Sequence, residues 1–526
     1  MRSREEPPPR GARRFSARER HLALAGLLAL AAGFAAPAAD WPQFQHDAQR
    51  TGRTLDTVPW PFRIRWCWLG PEQTIRNRLD SGILTDPELR PGDILATKAR
   101  LPASVPFAFS GLAQPIIVGK RLFVGDVDGR IYAIDTDTGT TLWTASNPGG
   151  VFTAGAWLDS VVVFASLEGA VRALDPATGA LRWEHRGMGP FLSAPAAGSG
   201  LVCAASTDRR VHAFDARGHR RWTSPDLGAP IAGGLALDDT SVHVGAETMR
   251  FYKLSLDDGR VLASTKVAGQ SFAAQWPVVH EGRVYVEASP IPAIGSEYVG
   301  EDLMAQATDV RDEMRRWRAF LAGEGGYRDA SGDWKHLTVL ETTDLREPYV
   351  VPSGPFDGCG QPPDPPAVDP AGRVWTYFKS RWHFFARPCG FGTKHHVDLG
   401  VIDPLTGDRV VVDHGRVADN AWYAWETDNL YAPSFAGPLL LLRQNFRGTV
   451  AIRSDTAEAR ALSNLYRARD GGTWTGDIQY ADNFERGDRL PRPSRRVPYG
   501  RPPVATAGGC LFLVEDFCLT AVEPHR

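Results

Sequence analysis

The chain has 526 residues, of which 43% are hydrophobic and 23% charged, and its formal net charge is −2. This composition is typical of a soluble globular protein, and the near-neutral charge argues against a nucleic-acid-binding protein or a polybasic membrane patch. The length would suggest several domains, but an internal repeat favours one large domain instead.

Residues 1–38 predict a signal peptide. An arginine-rich start is followed by the apolar run 22–36, which is short for a bilayer span, and Ala36-Pro37-Ala38 offers a cleavage motif. A Sec signal is favoured over twin-arginine export at Arg13-Arg14. We expect an exported protein, periplasmic or extracellular, without a membrane span after signal removal. An uncleaved N-terminal anchor is the alternative.

A repeated segment indicates the fold. IYAIDTDTGTTLW at 131–143 recurs as VRALDPATGALRW at 171–183 and, one residue shorter, as VHAFDARGHRRW at 211–222. The unit 154–185 consists of four short strand-like runs joined by turns rich in Gly, Asp and Pro. Four strands in a repeat of about 40 residues are typical of a propeller blade.

We therefore predict an all-β, eight-bladed β-propeller of four-stranded antiparallel blades that occupies residues 40–526 as a single domain. The blades are expected at 114–145, 154–185, 194–224, 232–265, 273–289 with 336–351, 366–414, 432–463 and from PPVATAGG to the C-terminus. The last blade is one strand short, and RIRWCW at 63–68 is predicted to complete it and close the ring.

Within the repeat, the Asp and Gly are expected to form the turn between the third and fourth strands, and the Trp to pack on the next blade. A Trp that stacks on a ligand is the alternative. The predicted docking residues are Asp135, Gly139, Trp143, Asp175, Gly179, Trp183, Asp215 and Trp222.

The pattern A-x-D-x-x-T-G-x-x-x-W, complete at Ala133–Trp143 and Ala173–Trp183, resembles the tryptophan-docking repeat of PQQ-like (quinoprotein-type) β-propellers. The start DWPQFQHDAQRTG at 40–52 is similar to the opening of many members. The resemblance implies the fold. The family includes periplasmic dehydrogenases that bind pyrroloquinoline quinone (PQQ) and calcium, and non-catalytic scaffolds such as the propeller lipoprotein of the outer-membrane barrel assembly machinery.

The sequence lacks the marks of the catalytic branch. It has no Cys-Cys pair and no C-x-x-C-H haem motif, and the Glu, Asn and Asp set that holds calcium matches no motif here. The non-catalytic branch is therefore favoured, no cofactor is predicted, and no catalytic residue is proposed.

Long insertions are predicted to gather on one face of the ring. The loop between the second and third strands of a blade shares a face with the connector to the next blade, and the insertions fall in these two loop types at 69–111, 290–335, 352–365, 381–396 and 464–501. We call this side the looped face and the other the short-turn face. Long loops on a rigid scaffold often bind ligands, whereas a purely structural lid is the alternative.

Two disulfides are predicted. Cys359 and Cys389 fall in adjacent insertions of the looped face. Alignment of RIRWCW with the fourth strand of blade two puts Cys67 opposite Cys518, where a disulfide would lock the ring. Cys203 and Cys510 are expected to be buried free thiols on second strands.

Residues 301–321 predict an amphipathic helix that packs on the propeller rim. The alternative is a helix that binds a partner protein. One apolar stripe is formed by Leu303, Ala307, Val310, Met314, Trp317 and Leu321.

Two groups are candidates for ligand contact. His383, His395 and His396 are weak metal candidates, because at most two of them converge easily. Trp382, Trp422 and Trp425, the last two followed by Glu426 and Asp428, form a candidate ligand face, with core packing as the alternative.

The sequence favours a monomeric binding or scaffold protein that holds an unidentified protein or small molecule on its looped face. The first alternative is a divergent quinoprotein oxidoreductase that uses PQQ and calcium. A lyase or carbohydrate-binding propeller is the second. No Walker, G-x-S-x-G or zinc-protease motif is present.

Overall fold

The computed structural model describes residues 40–59, 62–76, 102–289, 303–324, 334–354, 365–380, 382, 397–411, 432–444, 448–455, 459–461, 494, 502–515 and 518–524. These residues belong to a compact unit that spans Ala39–Arg526. The predicted signal peptide and most of the five insertions lie outside the described residues.

The described strands form eight sheets, which are the eight blades of a β-propeller. Three strands precede the first complete blade: β1 (Arg53–Thr54), β2 (Phe62–Trp68) and β3 (Thr74–Arg76). The predicted fold class is confirmed.

Blades one to four each have four antiparallel strands in sequence order. Blade one has β4 (Ile116–Val118), β5 (Arg121–Gly125), β6 (Arg130–Asp135) and β7 (Thr141–Ser146). Blade two has β8 (Ala156–Leu158), β9 (Val161–Ala165), β10 (Val171–Leu174) and β11 (Leu181–His185). Blade three has β12 (Ala196–Gly198), β13 (Leu201–Ala205), β14 (Val211–Asp215) and β15 (Arg220–Thr223). Blade four has β16 (Leu235–Leu237), β17 (Ser241–Ala246), β18 (Arg250–Ser255) and β19 (Val261–Lys266).

Burial depends on the position of a strand within its blade. In β9 all five residues of VVVFA are buried, because a second strand is covered on both faces by the neighbouring blades. The outermost strand β7 instead alternates between half-buried and exposed side chains. The core therefore lies in the layers between blades.

Blades five and six have three described strands each, and a helix precedes the third strand of blade five. Blade five has β20 (Val278–His280), β21 (Arg283–Glu287), the helix α1 (Val310–Leu321) and β22 (Leu337–Glu341). Blade six has β23 (Ala367–Val368), β24 (Val374–Lys379) and β25 (Val397–Val401).

The first strands of the chain join the last two blades. Blade seven has β26 (Ser434–Ala436), β27 (Leu439–Gln444), β28 (Gly448–Arg453) and β29 (Ala459–Ala461), with β1 parallel to β26. Blade eight has β30 (Ala505–Ala507), β31 (Cys510–Val514) and β32 (Leu519–Pro524). As predicted, β2 pairs with β32 and closes the ring, and β3 adds a fifth strand outside it.

The predicted pairing of Cys67 with Cys518 needs correction. A register shift between Ile64 and Trp66 places Cys67 opposite Thr520, whereas Cys518 lies one residue before β32 begins. The Thr520 hydroxyl is 4.0 Å from Cys67 Sγ and 3.5 Å from Cys518 Sγ. Both cysteines are buried free thiols, as are Cys203 and Cys510.

Each repeat tryptophan docks on the following blade. The indole Nε1 of Trp143 donates to Pro176 O at 3.1 Å, that of Trp183 to Ala216 O at 3.0 Å, and that of Trp222 to Leu256 O at 2.8 Å. Trp66 of β2 does the same across the ring closure, with Thr136 O at 2.9 Å. The same contact thus links blades one to four in series and blade eight to blade one.

The repeat aspartates hold the turns on which these indoles rest. Asp135 Oδ1 accepts hydrogen bonds from the backbone N–H groups of Asp137 and Thr138, and Asp175 Oδ1 accepts from those of Ala177 and Thr178. Asp215 Oδ1 accepts from Arg217 and His219. Gly139 and Gly179 follow with φ values of 68° and 73°, and each lies against the docked ring.

The predicted helix 301–321 is interrupted. Residues 303–305 form a short helical turn, and α1 begins at Val310, where Asp309 caps it by accepting a hydrogen bond from Asp312 N. All six residues of the predicted apolar stripe are nevertheless buried. Arg318 on α1 binds Thr406 O at 2.8 Å and Asp408 at 2.6 Å, both in the turn after β25. The helix therefore packs beside the outer part of blades five and six.

Candidate functional site

The segment 41–54, which we call the N-terminal clasp, contacts the innermost strands of seven blades in order. The innermost strand of a blade is an edge strand whose backbone groups need partners at the axis. The contacts, at 2.7 to 2.9 Å, join Trp41 to Ile117, Pro42 to Trp157, Gln43 to Ala197, Ala48 to Leu237, Gln49 to Val279, Thr51 to Val368 and Gly52 to Phe435. The clasp therefore supplies the hydrogen bonds that the ring needs at its centre.

Arg50 fixes the clasp to blades three and four. Its buried guanidinium donates to the carbonyl oxygens of Phe44 at 2.7 Å, Leu235 at 3.1 Å, Pro195 at 2.9 Å and Ala194 at 3.2 Å. Burial lowers the pKa of Arg50 to about 9, which still leaves it charged at neutral pH. The dipoles of these four carbonyl groups stabilise the positive charge of the guanidinium.

A chamber lies above the clasp, on the axis towards the looped face. Its floor is formed by Phe44 and Arg50, and its wall by the segments that lead into the first strands of blades one to five. The wall residues are Leu112, Thr153, Leu192, Ser193, Ala194, Ala232, Gly234, Ala274, Gln275 and Trp276. The chamber offers about 10 Å³ of accessible volume, which is the space of one water-sized group.

This chamber does not fit PQQ. A tricyclic quinone needs far more room than a single water-sized group, and the clasp closes the chamber from below. No group of three or more His, Cys, Asp or Glu side chains with metal-binding geometry occurs within the described ranges. The described residues at the axis therefore supply neither a quinone pocket nor a calcium set.

On the looped face, two of the predicted insertions meet beside blade one. Phe107, from the connector 69–111, is fully buried and accepts a hydrogen bond at 2.8 Å from the N–H of Ser494, in the connector 464–501. The Ser494 hydroxyl also bonds Asp128, in the turn between β5 and β6. Ala108 O accepts from Val127 N at 3.0 Å, so the connector is held against the same turn. Phe107 and Ser494, from two distant connectors, thus meet at this turn of blade one.

The predicted ligand residues are mostly outside the described ranges. This holds for His383, His395, His396, Trp422, Trp425, Cys359 and Cys389. Trp382 is described and half-buried just after β24; its N–H donates to Ser380 Oγ at 3.0 Å, and its carbonyl accepts from Arg409. Arg409 also covers the ring of Phe378. These two hydrogen bonds of Trp382 lie within blade six.

The short-turn face carries an acidic groove of about 480 Å³ beside the clasp. Asp47, Asp238, Asp239 and Glu281 line it together with Arg53. Although burial opposes it, the hydrogen bonds that Asp238 accepts from His243 and Thr240 hold the pKa of this carboxyl far below its usual range. Asp47 likewise accepts from Thr51 N at 2.9 Å, so both carboxylates serve local turns.

The clasp and the axial chamber are features that sequence reasoning missed. In the sequence, the segment DWPQFQHDAQRTG indicated only the family resemblance. Its role as a clasp was not predicted, because its hydrogen bonds reach seven blades that are distant in sequence. One indication of the clasp in the sequence is the group of polar residues Gln43, Gln45 and Arg50, which precedes the strand predicted to close the ring.

No helix of the described residues is both long and apolar enough to cross a bilayer. Among known families, the model described as outer membrane protein assembly factor BamB matches residues 76–207, 127–228 and 207–333. No curated protein matches the chain significantly.

Two solved structures are similar at low identity. BamB from Moraxella catarrhalis is 13% identical, with a TM-score of 0.47, and the alignment covers 81% of this chain and 99% of that one. The computationally designed Ika8 protein is also 13% identical, with a TM-score of 0.49 and coverage of 80% and 98%. The docking repeats, the eight blades and the matched family model together identify a β-propeller with PQQ-like repeats.

Proposed function

We propose that this protein is an exported, non-catalytic binding protein that holds a protein partner on its looped face. The observation that carries the proposal is that the two long connectors meet on that side, where Ser494 bonds both Phe107 O and the Asp128 carboxylate of blade one. On the short-turn face, the carboxylates of Asp47 and Asp238 serve local turns. The family supports a binding or scaffold role.

The test is site-specific photo-crosslinking in cells that express the protein. A photoreactive phenylalanine analogue is placed at exposed looped-face positions, Ser104, Glu168 and Arg209, and at exposed short-turn controls, Thr178 and Asp258. We expect the same crosslinked species from the looped-face positions and none from the controls. Equal labelling from both faces, or labelling from the controls alone, would contradict the proposal.

The quinoprotein alternative is tested separately by calorimetric titration with PQQ and Ca²⁺, alongside a dye-linked alcohol and sugar oxidation assay. We expect neither saturable heat nor turnover, because the axial chamber holds only a water-sized group. Saturable binding with turnover would make the looped face an active site and overturn the non-catalytic proposal.

A further inference from the structure

Three side chains that line the axial chamber carry buried polar atoms without a protein partner. They are the hydroxyl of Ser193, the Oε1 atom of Gln275 and the indole Nε1 of Trp276. The three residues are 7%, 5% and 4% exposed, respectively. A buried polar atom without a hydrogen bond is strongly unfavourable, so three of them around one small space point to a bound polar group.

The chemistry of the three atoms specifies that group. The indole N–H can only donate, and the amide Oε1 of Gln275 can only accept, while the Ser193 hydroxyl can do either. The matching group must therefore both accept and donate. At about 10 Å³, the chamber admits one such group of the size of a water oxygen.

The amide oxygen of Gln275 favours a neutral group, because it needs a donor and a carboxylate offers none. On the opposite side of the chamber, Arg50 donates to four carbonyl oxygens, and Phe44 lies edge-on to Trp276 at 4.7 Å.

We propose that the axial chamber is a hydroxyl-binding site, in which one O–H group accepts from Trp276 Nε1 and donates to Gln275 Oε1, with Ser193 as the third partner. The hydroxyl comes from solvent water or from a ligand that enters on the looped face. The site does not depend on the proposed partner role.

The experiment uses mature protein with ¹⁵N-labelled tryptophan indoles. The Trp276 indole resonance is identified by its loss in Trp276→Phe, and the Trp183 indole, which donates to Ala216 O, serves as an internal control. Two probes are applied: the nuclear Overhauser effect from water to the indole proton, and a titration with ethylene glycol.

We expect a long-lived water contact at Trp276 and not at Trp183. If ethylene glycol then leaves the resonance in place, solvent supplies the hydroxyl; a saturable shift with loss of the water contact shows that a ligand hydroxyl replaces it. In Gln275→Leu, with the Trp183 resonance unchanged as evidence of folding, either signal should be lost. Absence of both signals in the unsubstituted protein, or their persistence in Gln275→Leu, would overturn the proposal.

Discussion

Gly179, in the turn of blade two, lies directly against the ring of Trp143, the docking tryptophan of blade one. A Cβ atom at Gly179 would fall 2.6 Å from Trp143 Cε3, and the backbone φ there is 73°. The turn therefore requires glycine for two reasons: the positive φ, and the face of the indole that occupies the place of a side chain.

Gly179→Ala should destabilise the protein by about 2–4 kcal/mol, the sum of backbone strain and overpacking against the indole. Gly200→Ala is the matched control, because Gly200 has a φ of 74° and nothing within 4 Å of an added Cβ. The control should cost only the strain, about 1–2 kcal/mol. Urea unfolding followed by circular dichroism measures both, and equal losses would show that the indole contact has no energetic weight.

Arg50→Met should destabilise the protein by about 3 kcal/mol or more, since it leaves four buried carbonyl oxygens without a donor. Arg53→Met is the comparison, because half-buried Arg53 bonds only Asp369 O among the described residues and should cost under about 1 kcal/mol. The same unfolding experiment ranks the two variants. The reverse order would mean that Arg50 does not hold the clasp.

The protein should lose stability as the pH falls below 6.5. Burial lowers the pKa of His336 to about 4, with Lys379 acting in the same direction. His336 is therefore protonated near pH 6.5 in the unfolded chain but only near pH 4 in the folded protein. The free energy of unfolding should fall by about 3 kcal/mol as the pH drops across this window. Burial also lowers the pKa of His212 and His280.

Chemical denaturation at a series of pH values from 7.5 to 4 measures this slope. His336→Gln should flatten it, whereas His219→Gln, at a histidine that is 71% exposed, should not. An unchanged slope in His336→Gln would show that the group does not titrate as its burial requires.

We propose that residues 1–38 are removed on export, so the mature protein should begin at Ala39. Trp41 N–H and C=O both pair with Ile117 at 2.8 Å, so the clasp tolerates cleavage after Ala38 but not within the segment that follows. Intact mass and N-terminal sequencing check this. Retention of residues 1–38 would indicate the uncleaved anchor, and a start beyond Trp41 would contradict the clasp.

Thiol titration in guanidinium without reductant should find four reactive cysteines. Cys67, Cys203, Cys510 and Cys518 are free and buried, so they should react only after unfolding. Cys359 and Cys389 remain predicted as a disulfide. Six thiols would show that this pair is reduced, and two would show that Cys67 and Cys518 are also oxidised.

Local pattern in the sequence was sufficient for the blades. Strand alternation, the Asp and Gly of the turns and the tryptophan spacing are set by neighbours within one repeat, so they predicted the eight blades, the ring closure by β2 and the stripe of α1. The errors came where longer-range geometry decides. A single register shift before Trp66 moved Cys67 from Cys518 to Thr520, and the Asp309 cap moved the start of the helix.

The axial chamber could only come from the tertiary structure. Ser193 lies in the connector into blade three, Gln275 and Trp276 lie in the connector into blade five, and Phe44 and Arg50 come from the N-terminal clasp. No repeat pattern relates these five residues, because their proximity results from the circular arrangement of the blades and not from any local preference. The sequence thus determined the architecture of this propeller, whereas the path of the clasp around the axis decided which polar groups meet there and how little space they enclose.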